Sequence, residues 1–223
     1  MTDYVALITT YNRPQECLRA VRSVLRQTVP PKEVVVVDDA STADYSEVLG
    51  LGVTVIQLPQ NSRHELGASY ANGATRNVGL QYILRKHPGG WLAFLDDDDE
   101  WMLDKAEHQL AVAARHSGCR FVCSNAINRT NALQLQGLHF PAAPHADDAG
   151  VADVTAALAQ YNPVVNSSAM VSLAVARAVG MQRAVGYPED FDYWRRCAVH
   201  TNLLRLEQPL LYYTTDSIKS YQL

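Results

Sequence analysis

The sequence predicts one α/β domain on a mainly parallel central sheet flanked by helices, and three observations predict it. Short unbroken apolar runs recur at residues 4–8 (YVALI), 34–37 (VVVV) and 91–95 (WLAFL), the pattern of strands buried on both faces of a parallel sheet. Stretches with helical spacing lie between them, so strands and helices alternate as in βαβ units. A chain of 223 residues that is 48% hydrophobic and 19% charged can bury a sizeable core, and no linker-like break divides it.

Each element has its own justification. The first run ends in the polar turn Thr9-Thr10-Tyr11-Asn12-Arg13-Pro14. Asn12 is a candidate helix cap, and Pro14 suits a first helical turn because its missing N–H costs little there. Leu18, Val21 and Leu25 then mark an amphipathic helix that ends near Gln27, before Pro30 and Pro31. Four valines form the second strand, which closes on Asp38 and Asp39. A weak helix is expected over residues 45–49, a strand over 53–58 and a polar loop over 61–72. Val78, Ile83 and Leu84 predict a helix over 74–86, stopped by His87-Pro88-Gly89-Gly90.

Residues 91–95 run straight into Asp96, Asp97, Asp98, Asp99 and Glu100. Leu103, Ala106, Leu110 and Ala113 give a further helix through about His116, with a strand at 120–124. After Asn125 the rhythm breaks. Residues 131–150 read as irregular and 163–171 as mixed, followed by helices at 173–179 and 188–199 and closing strands at 203–206 and 210–215. The expectation is a single Rossmann-like domain over 1–223. About residues 1–125 would hold one ligand, and a smaller mixed region, about 126–223, would shape the site for another.

Composition narrows the function. The formal net charge of −4 argues against broad nucleic-acid binding. No stretch approaches the roughly 18 apolar residues of a membrane span, and residues 1–11 do not read as a signal peptide, so a cytoplasmic location is expected. Cys17, Cys119, Cys123 and Cys197 form no C-x-x-C pair and no zinc-spaced array. Cys119 and Cys123 are expected to share one face of a strand as small buried residues in a reduced compartment.

The chemistry concentrates in acids. In parallel sheets ligands bind at the carboxyl ends of strands, where both Asp38-Asp39 and the four-aspartate run should lie. Carboxylates about 5–6 Å apart repel by roughly 3 kcal/mol per pair at an effective dielectric of about 20. A folded chain tolerates the run if water solvates it or a cation sits among its oxygens, and its place at the mouth of a core strand favours a divalent metal. Asp38-Asp39 reads equally as a turn or as an acceptor for ribose hydroxyls and base N–H groups. Residues 73–79 (GATRNVG) open a helix with small residues. Arg76 there suits a phosphate, although a surface cation and a helix-packing Gly79 are the plainer reading. Glu189 and Asp190 start a late helix, where either a general base or a dipole-favoured acid fits. Asp192 is spaced for an ion pair with Arg195 or Arg196.

Five segments in order, ITTYNRPQECLRAVRSVLRQT, EVVVVDDAST, NGATRNVGL, WLAFLDDDDEW and YPEDFDYWRRC, resemble the family 2 glycosyltransferases of the GT-A fold, an inverting group that uses nucleotide sugars. The likeness implies roles position by position. Thr9, Tyr11 and Arg13 would pack on the nucleotide, with Tyr11 near the base. Asp39, ahead of Asp38, would contact a uracil-type base or ribose, and Arg76 would lie near the diphosphate. Asp96-Asp97-Asp98 is similar to the family's DXD motif, with Asp98 the direct ligand of Mn²⁺ or Mg²⁺ and Asp96 near the ribose or donor sugar. Asp99 would touch the sugar or acceptor. Glu189-Asp190 is similar to the family's ED pair, with Asp190 the catalytic base.

The implied function is metal-dependent transfer from a UDP- or dTDP-sugar to an acceptor hydroxyl, in bacterial polysaccharide or glycoconjugate synthesis. The acceptor class is a saccharide, a lipid-linked carrier or a small molecule. A membrane-bound acceptor would require peripheral docking at the inner face of the membrane, and a homo-oligomer is compatible. The alternatives are a nucleotide-sugar-binding protein that catalyses weakly and a sugar nucleotidyltransferase. The latter would open with a glycine-rich loop, which Thr9 to Pro14 lack. Two departures stand out, the first being a polar loop over 60–72 that is longer than usual before the Gly73 motif. The second is that many relatives carry an Arg and a His after the last aromatic strand, where this chain has Tyr212-Tyr213-Thr214-Thr215-Asp216-Ser217. Arg63, His64 and Lys219 are the candidate replacements.

Overall fold

Ten strands join one sheet in the computed structural model, which describes residues 3–63, 71–183 and 189–215. They are β1 (Tyr4–Thr10), β2 (Glu33–Asp38), β3 (Thr54–Gln57), β4 (Trp91–Asp96), β5 (Glu100–Trp101), β6 (Phe121–Arg129), β7 (Leu135–Leu138), β8 (Val151–Asp153), β9 (Met170–Ser172) and β10 (Leu203–Thr214). The helices are α1 (Pro14–Leu25), α2 (Ser46–Leu49), α3 (Ala71–Lys86), α4 (Lys105–Arg115), α5 (Leu173–Val179) and α6 (Glu189–Cys197). The order across the sheet is β3-β2-β1-β4-β9-β6-β10-β5, with β7 on β6 and β8 on β10.

The half made of β3, β2, β1 and β4 is parallel throughout. Beyond β4 the sheet is mixed. β9 runs antiparallel to both β4 and β6, while β6 and β10 pair in parallel. The expected closing strands are one strand, because register shifts at Pro209 absorb the proline without ending it.

Alternation along the buried strands sends side chains to two layers. Tyr4, Ala6 and Ile8 pack with Leu18, Val21, Ala106 and Leu110 beneath α1 and α4. Val5 and Leu7 pack with Leu80, Ile83, Tyr193 and Trp194 beneath α3 and α6. This separates the two cysteines expected on one face. Cys119 precedes β6 and joins the first layer, whereas Cys123 joins the second. Both are buried and free.

Asn12 does not cap α1. It has φ +50, and its Oδ1 accepts from the backbone N–H groups of Thr42 and Ala43 at 2.9 and 3.2 Å, tying the loop after β1 to the loop after β2. Pro14 does open the helix.

Gly79 lets α3 lie on the sheet: a Cβ there would sit 2.2 Å from Leu7 Cδ1 and 2.9 Å from Val37 Cγ2. Both neighbours are closed into the core. Gly79→Ala should therefore cost about 1–3 kcal/mol through overpacking, read as a lower denaturant midpoint with an unchanged m value.

Candidate active site

Strand register brings the acids together. From β1 the chain winds outward through β2 and β3, then returns to β4 on the other side of β1. Thr10 pairs with Asp38 across one flank, and Thr9 with Asp96 across the other. The carboxyl ends of β1 and β4 are thus a topological switch point, the usual ligand crevice of such sheets. A cleft of about 370 Å³ opens there, with walls from both halves of the chain. Thr9, Tyr11, Arg13, Asp39, Arg76, Asp96, Asp97, Asp98, Glu189 and Asp190 all line it.

Asp38 and Asp99 do not. Asp38 Oδ1 accepts from Ser41 N–H at 3.1 Å and from the Ser41 hydroxyl, which makes Asp38 a turn residue. Asp99 is 1% exposed. One of its oxygens accepts from Ser167 Oγ at 2.5 Å and the other from Thr214 N–H at 2.8 Å. Burial, then Asp98 and Asp96, hold its carboxyl well above the usual range. Its place is behind the cleft, pinning β10 to the aspartate turn, rather than against a sugar.

The remaining aspartates are shared between two guanidinium groups. Arg13 Nη1 lies 2.8 Å from Asp98 Oδ2 and 3.3 Å from Asp97 Oδ1. Thr10 Oγ1 donates to Asp97 Oδ2 at 2.7 Å. Burial chiefly, with Asp98 beside it, still raises the Asp97 carboxyl to about 7, against the opposing pull of Arg13 and Thr10. Arg76 is buried, not a surface cation. Its Nη2 meets Asp96 Oδ1 at 2.7 Å and its Nη1 meets Glu189 Oε1 at 2.8 Å. Burial disfavours its charge, but Asp96 and Glu189 outweigh that and hold it protonated. Arg76 is therefore a clamp between the end of β4 and the start of α6.

Asp190 follows Glu189 in the first turn of α6. Burial pushes its carboxyl up to about 6, with Arg76 opposing and Glu189 adding to the rise, within reach of neutral pH. Asp192 pairs with Arg196 at 2.8 Å, away from the chemistry. Across the cleft Asp39 is held by Ser62 N–H and Ser62 Oγ, each at 2.8 Å, and burial raises its carboxyl.

Several residues in or behind the cleft carried no clear signal in the sequence. Tyr45 OH meets Thr10 Oγ1 at 2.8 Å and accepts from Arg13 N–H at 3.0 Å, fixing the first loop. Asn166 Nδ2 donates to Asp96 Oδ1 at 2.9 Å. His139, Phe140 and Tyr213 form an aromatic wall, with ring centroids 4.5 Å apart for His139–Phe140 and 4.9 Å for His139–Tyr213. A lone asparagine in VVNSS and aromatics outside any periodic run offered nothing beyond irregularity. Of the candidates for the missing Arg and His, Arg63 lines the cleft. His64, Lys219, Asp216 and Ser217 lie outside the described residues.

Among the described residues no group of three or more His, Cys, Asp or Glu side chains could by itself hold a metal ion. Asp97 and Asp98 nevertheless converge on a single positively charged nitrogen. Hard carboxylate oxygens already gathered around a positive charge fit a divalent cation that takes its other ligands from phosphates, as Mg²⁺ commonly does. Nor is any described helix long and apolar enough to cross a membrane.

The profile of Glycosyl transferase family 2 matches residues 5–162. An uncharacterized glycosyltransferase of Rickettsia felis is 33% identical over 109 residues, 49% of this chain and 17% of its own. The putative teichuronic acid biosynthesis glycosyltransferase TuaG of Bacillus subtilis is 36% identical over 131 residues, 54% of this chain and 47% of the relative. The UDP-Glc:alpha-D-GlcNAc-diphosphoundecaprenol beta-1,3-glucosyltransferase WfgD of Escherichia coli is 32% identical over 122 residues, 52% and 44% of the two. The chain thus spans less than half the length of these curated relatives. Among solved structures, S. aureus TarS in complex with UDP matches with a TM-score of 0.72 at 18% identity, over 96% of this chain and 60% of that one. Its complex with UDP-GlcNAc gives 0.70 at 18%, over 96% and 58%. The mixed α/β architecture is therefore that of a GT-A glycosyltransferase.

Proposed function

We propose that this chain, which belongs to glycosyltransferase family 2, transfers a sugar from a nucleoside diphosphate sugar to an acceptor hydroxyl with inversion, in bacterial polysaccharide or glycoconjugate assembly. One observation carries the reading: the half-buried carboxyl of Asp190 shares a cleft with an aspartate turn that already gathers positive charge, and burial raises that carboxyl to about 6. The UDP and UDP-GlcNAc complexes of TarS support a uridine-type donor, and the names of TuaG and WfgD support a saccharide product.

In this reading the base and ribose lie between Tyr11 and Asp39, and the diphosphate runs over the aspartate turn toward Arg13 and Arg63. Asp98, with Asp97 beside it, would hold Mn²⁺ or Mg²⁺. The bound cation would supply neutralisation of the charge that develops on the departing diphosphate. Asp190 takes the proton from the acceptor hydroxyl as that oxygen attacks the anomeric carbon from the face opposite the leaving group. A single displacement inverts the configuration and needs no covalent intermediate. Arg76 and Glu189 hold the mouth of α6 against β4 so that Asp190 meets the acceptor. The wall of His139, Phe140 and Tyr213 offers the acceptor an apolar face on the second half of the chain.

The test is calorimetric titration of UDP, dTDP, GDP and CMP, with and without Mn²⁺, into wild type and Asp98→Ala. UDP or dTDP should bind tightly in a metal-dependent way, with affinity at least tenfold weaker in Asp98→Ala. Binding of none of the four would overturn the donor assignment. Binding that ignores both Mn²⁺ and Asp98 would remove the metal from it.

A further inference from the structure

We infer that Arg13 is a resident counter-ion for Asp97 and Asp98 that exchanges for the divalent cation when a nucleoside diphosphate binds, its guanidinium passing from the carboxylates to the phosphates. The inference rests on the glycosyltransferase reading of the cleft and adds an order of events to it.

Three observations carry it. The first is position: one nitrogen, Nη1, reaches Asp98 Oδ2 at 2.8 Å and Asp97 Oδ1 at 3.3 Å. A cation shared by those two oxygens would compete with Nη1 for them, and like charges at that range repel. The second is the contrast with Arg76. Arg76 is held from two sides by carboxylates on β4 and α6, with 7% of its side chain exposed. Arg13 approaches the aspartate turn from the loop before α1, with 17% of its side chain exposed, so of the two it is the more accessible to an incoming phosphate. The third is the anchoring of that loop. Arg13 N–H is tied to Tyr45 OH at 3.0 Å, and Arg13 C=O accepts the N–H of Cys17 at 2.9 Å. The backbone stays in place while the long side chain swings.

A diphosphate brings the reason to swing, because a guanidinium fork matches phosphate oxygens and is well suited to them. Once Arg13 has turned to the phosphates, the carboxylates are open to a divalent cation. Nucleotide and metal then favour each other reciprocally, with Arg13 as the coupling element.

The experiment measures Mn²⁺ binding from the electron paramagnetic resonance of the free ion, on wild type, Arg13→Gln and Arg13→Lys, each with and without UDP. Arg13→Gln should bind Mn²⁺ alone at least fivefold tighter than wild type, and UDP should enhance its Mn²⁺ affinity by a correspondingly smaller factor. Arg13→Lys keeps the charge and should stay within about twofold of wild type for Mn²⁺ alone. Equal or weaker Mn²⁺ binding by Arg13→Gln, or Arg13→Lys behaving like Arg13→Gln, overturns the exchange. If UDP binds but no protein takes up Mn²⁺ under any condition, the exchange falls with the metal, and the nucleotide-sugar reading stands.

Discussion

Asp190→Asn should lower sugar transfer by about 10²–10⁴-fold, the usual contribution of a positioned general base, while UDP affinity stays within about twofold of wild type. Asparagine keeps the shape of the side chain and cannot take a proton. The proposed donor side of the cleft, lined by Tyr11, Asp39 and the aspartate turn, is untouched by the change. Measuring initial rates beside calorimetric UDP binding separates the two effects, and a joint loss of both would place Asp190 in donor binding instead.

The pH dependence comes from the same group. In the proposed role the active form is the ionised one, and burial raises the Asp190 carboxyl to about 6. The wild-type rate should therefore fall as pH drops through about 6. Stability runs the other way. The unfolded chain loses this proton near 3.8 and the folded chain near 6. Stability from this group is thus present below about 3.8, declines between the two values, and is lost above about 6. Asp190→Asn carries no such penalty, so at pH 7.5 its melting temperature should equal or exceed that of wild type. A catalytic residue whose removal stabilises the fold is one held there for chemistry.

Arg76→Ala should have the largest effect on stability, a loss of about 3–5 kcal/mol, because removing one partner of a buried ion-pair network strands the others. Two carboxylates are left, Asp96 and the 5%-exposed Glu189. Chemical denaturation measures the loss. Coupling gives a second reading. With Glu189→Gln already in place, Arg76→Ala should cost distinctly less than in wild type, since part of the stranded charge has gone. Additive effects would mean that Arg76 does not clamp α6 through Glu189. The same variant should slow transfer, because the first turn of α6 carries Asp190.

Much of the first half was legible because buried parallel strands need unbroken apolar runs, and YVALI, VVVV and WLAFL have no other comfortable reading. The second half was less so. β9 is three residues long and β8 another three, too short for any period to declare itself. β7 has every residue exposed, so no apolar face marks it. The closing strands expected at 203–206 and 210–215 are one strand with register shifts around Pro209.

The parallel half of the sheet and the acidic ends of its strands can be read from the letters alone, because local apolar periodicity sets where a strand stops and which residues sit at its end. How those acids are partnered emerges from the packing of distant elements. Arg13 meets Asp98 across 85 positions, Arg76 meets Glu189 across 113, and Thr214 meets Asp99 across 115. Four identical neighbours in one turn are indistinguishable in a string of letters. They become different residues when distant elements give two of them to Arg13, one to Arg76 and one to the buried edge of β10, since charge at close range is settled by whichever partner the fold delivers.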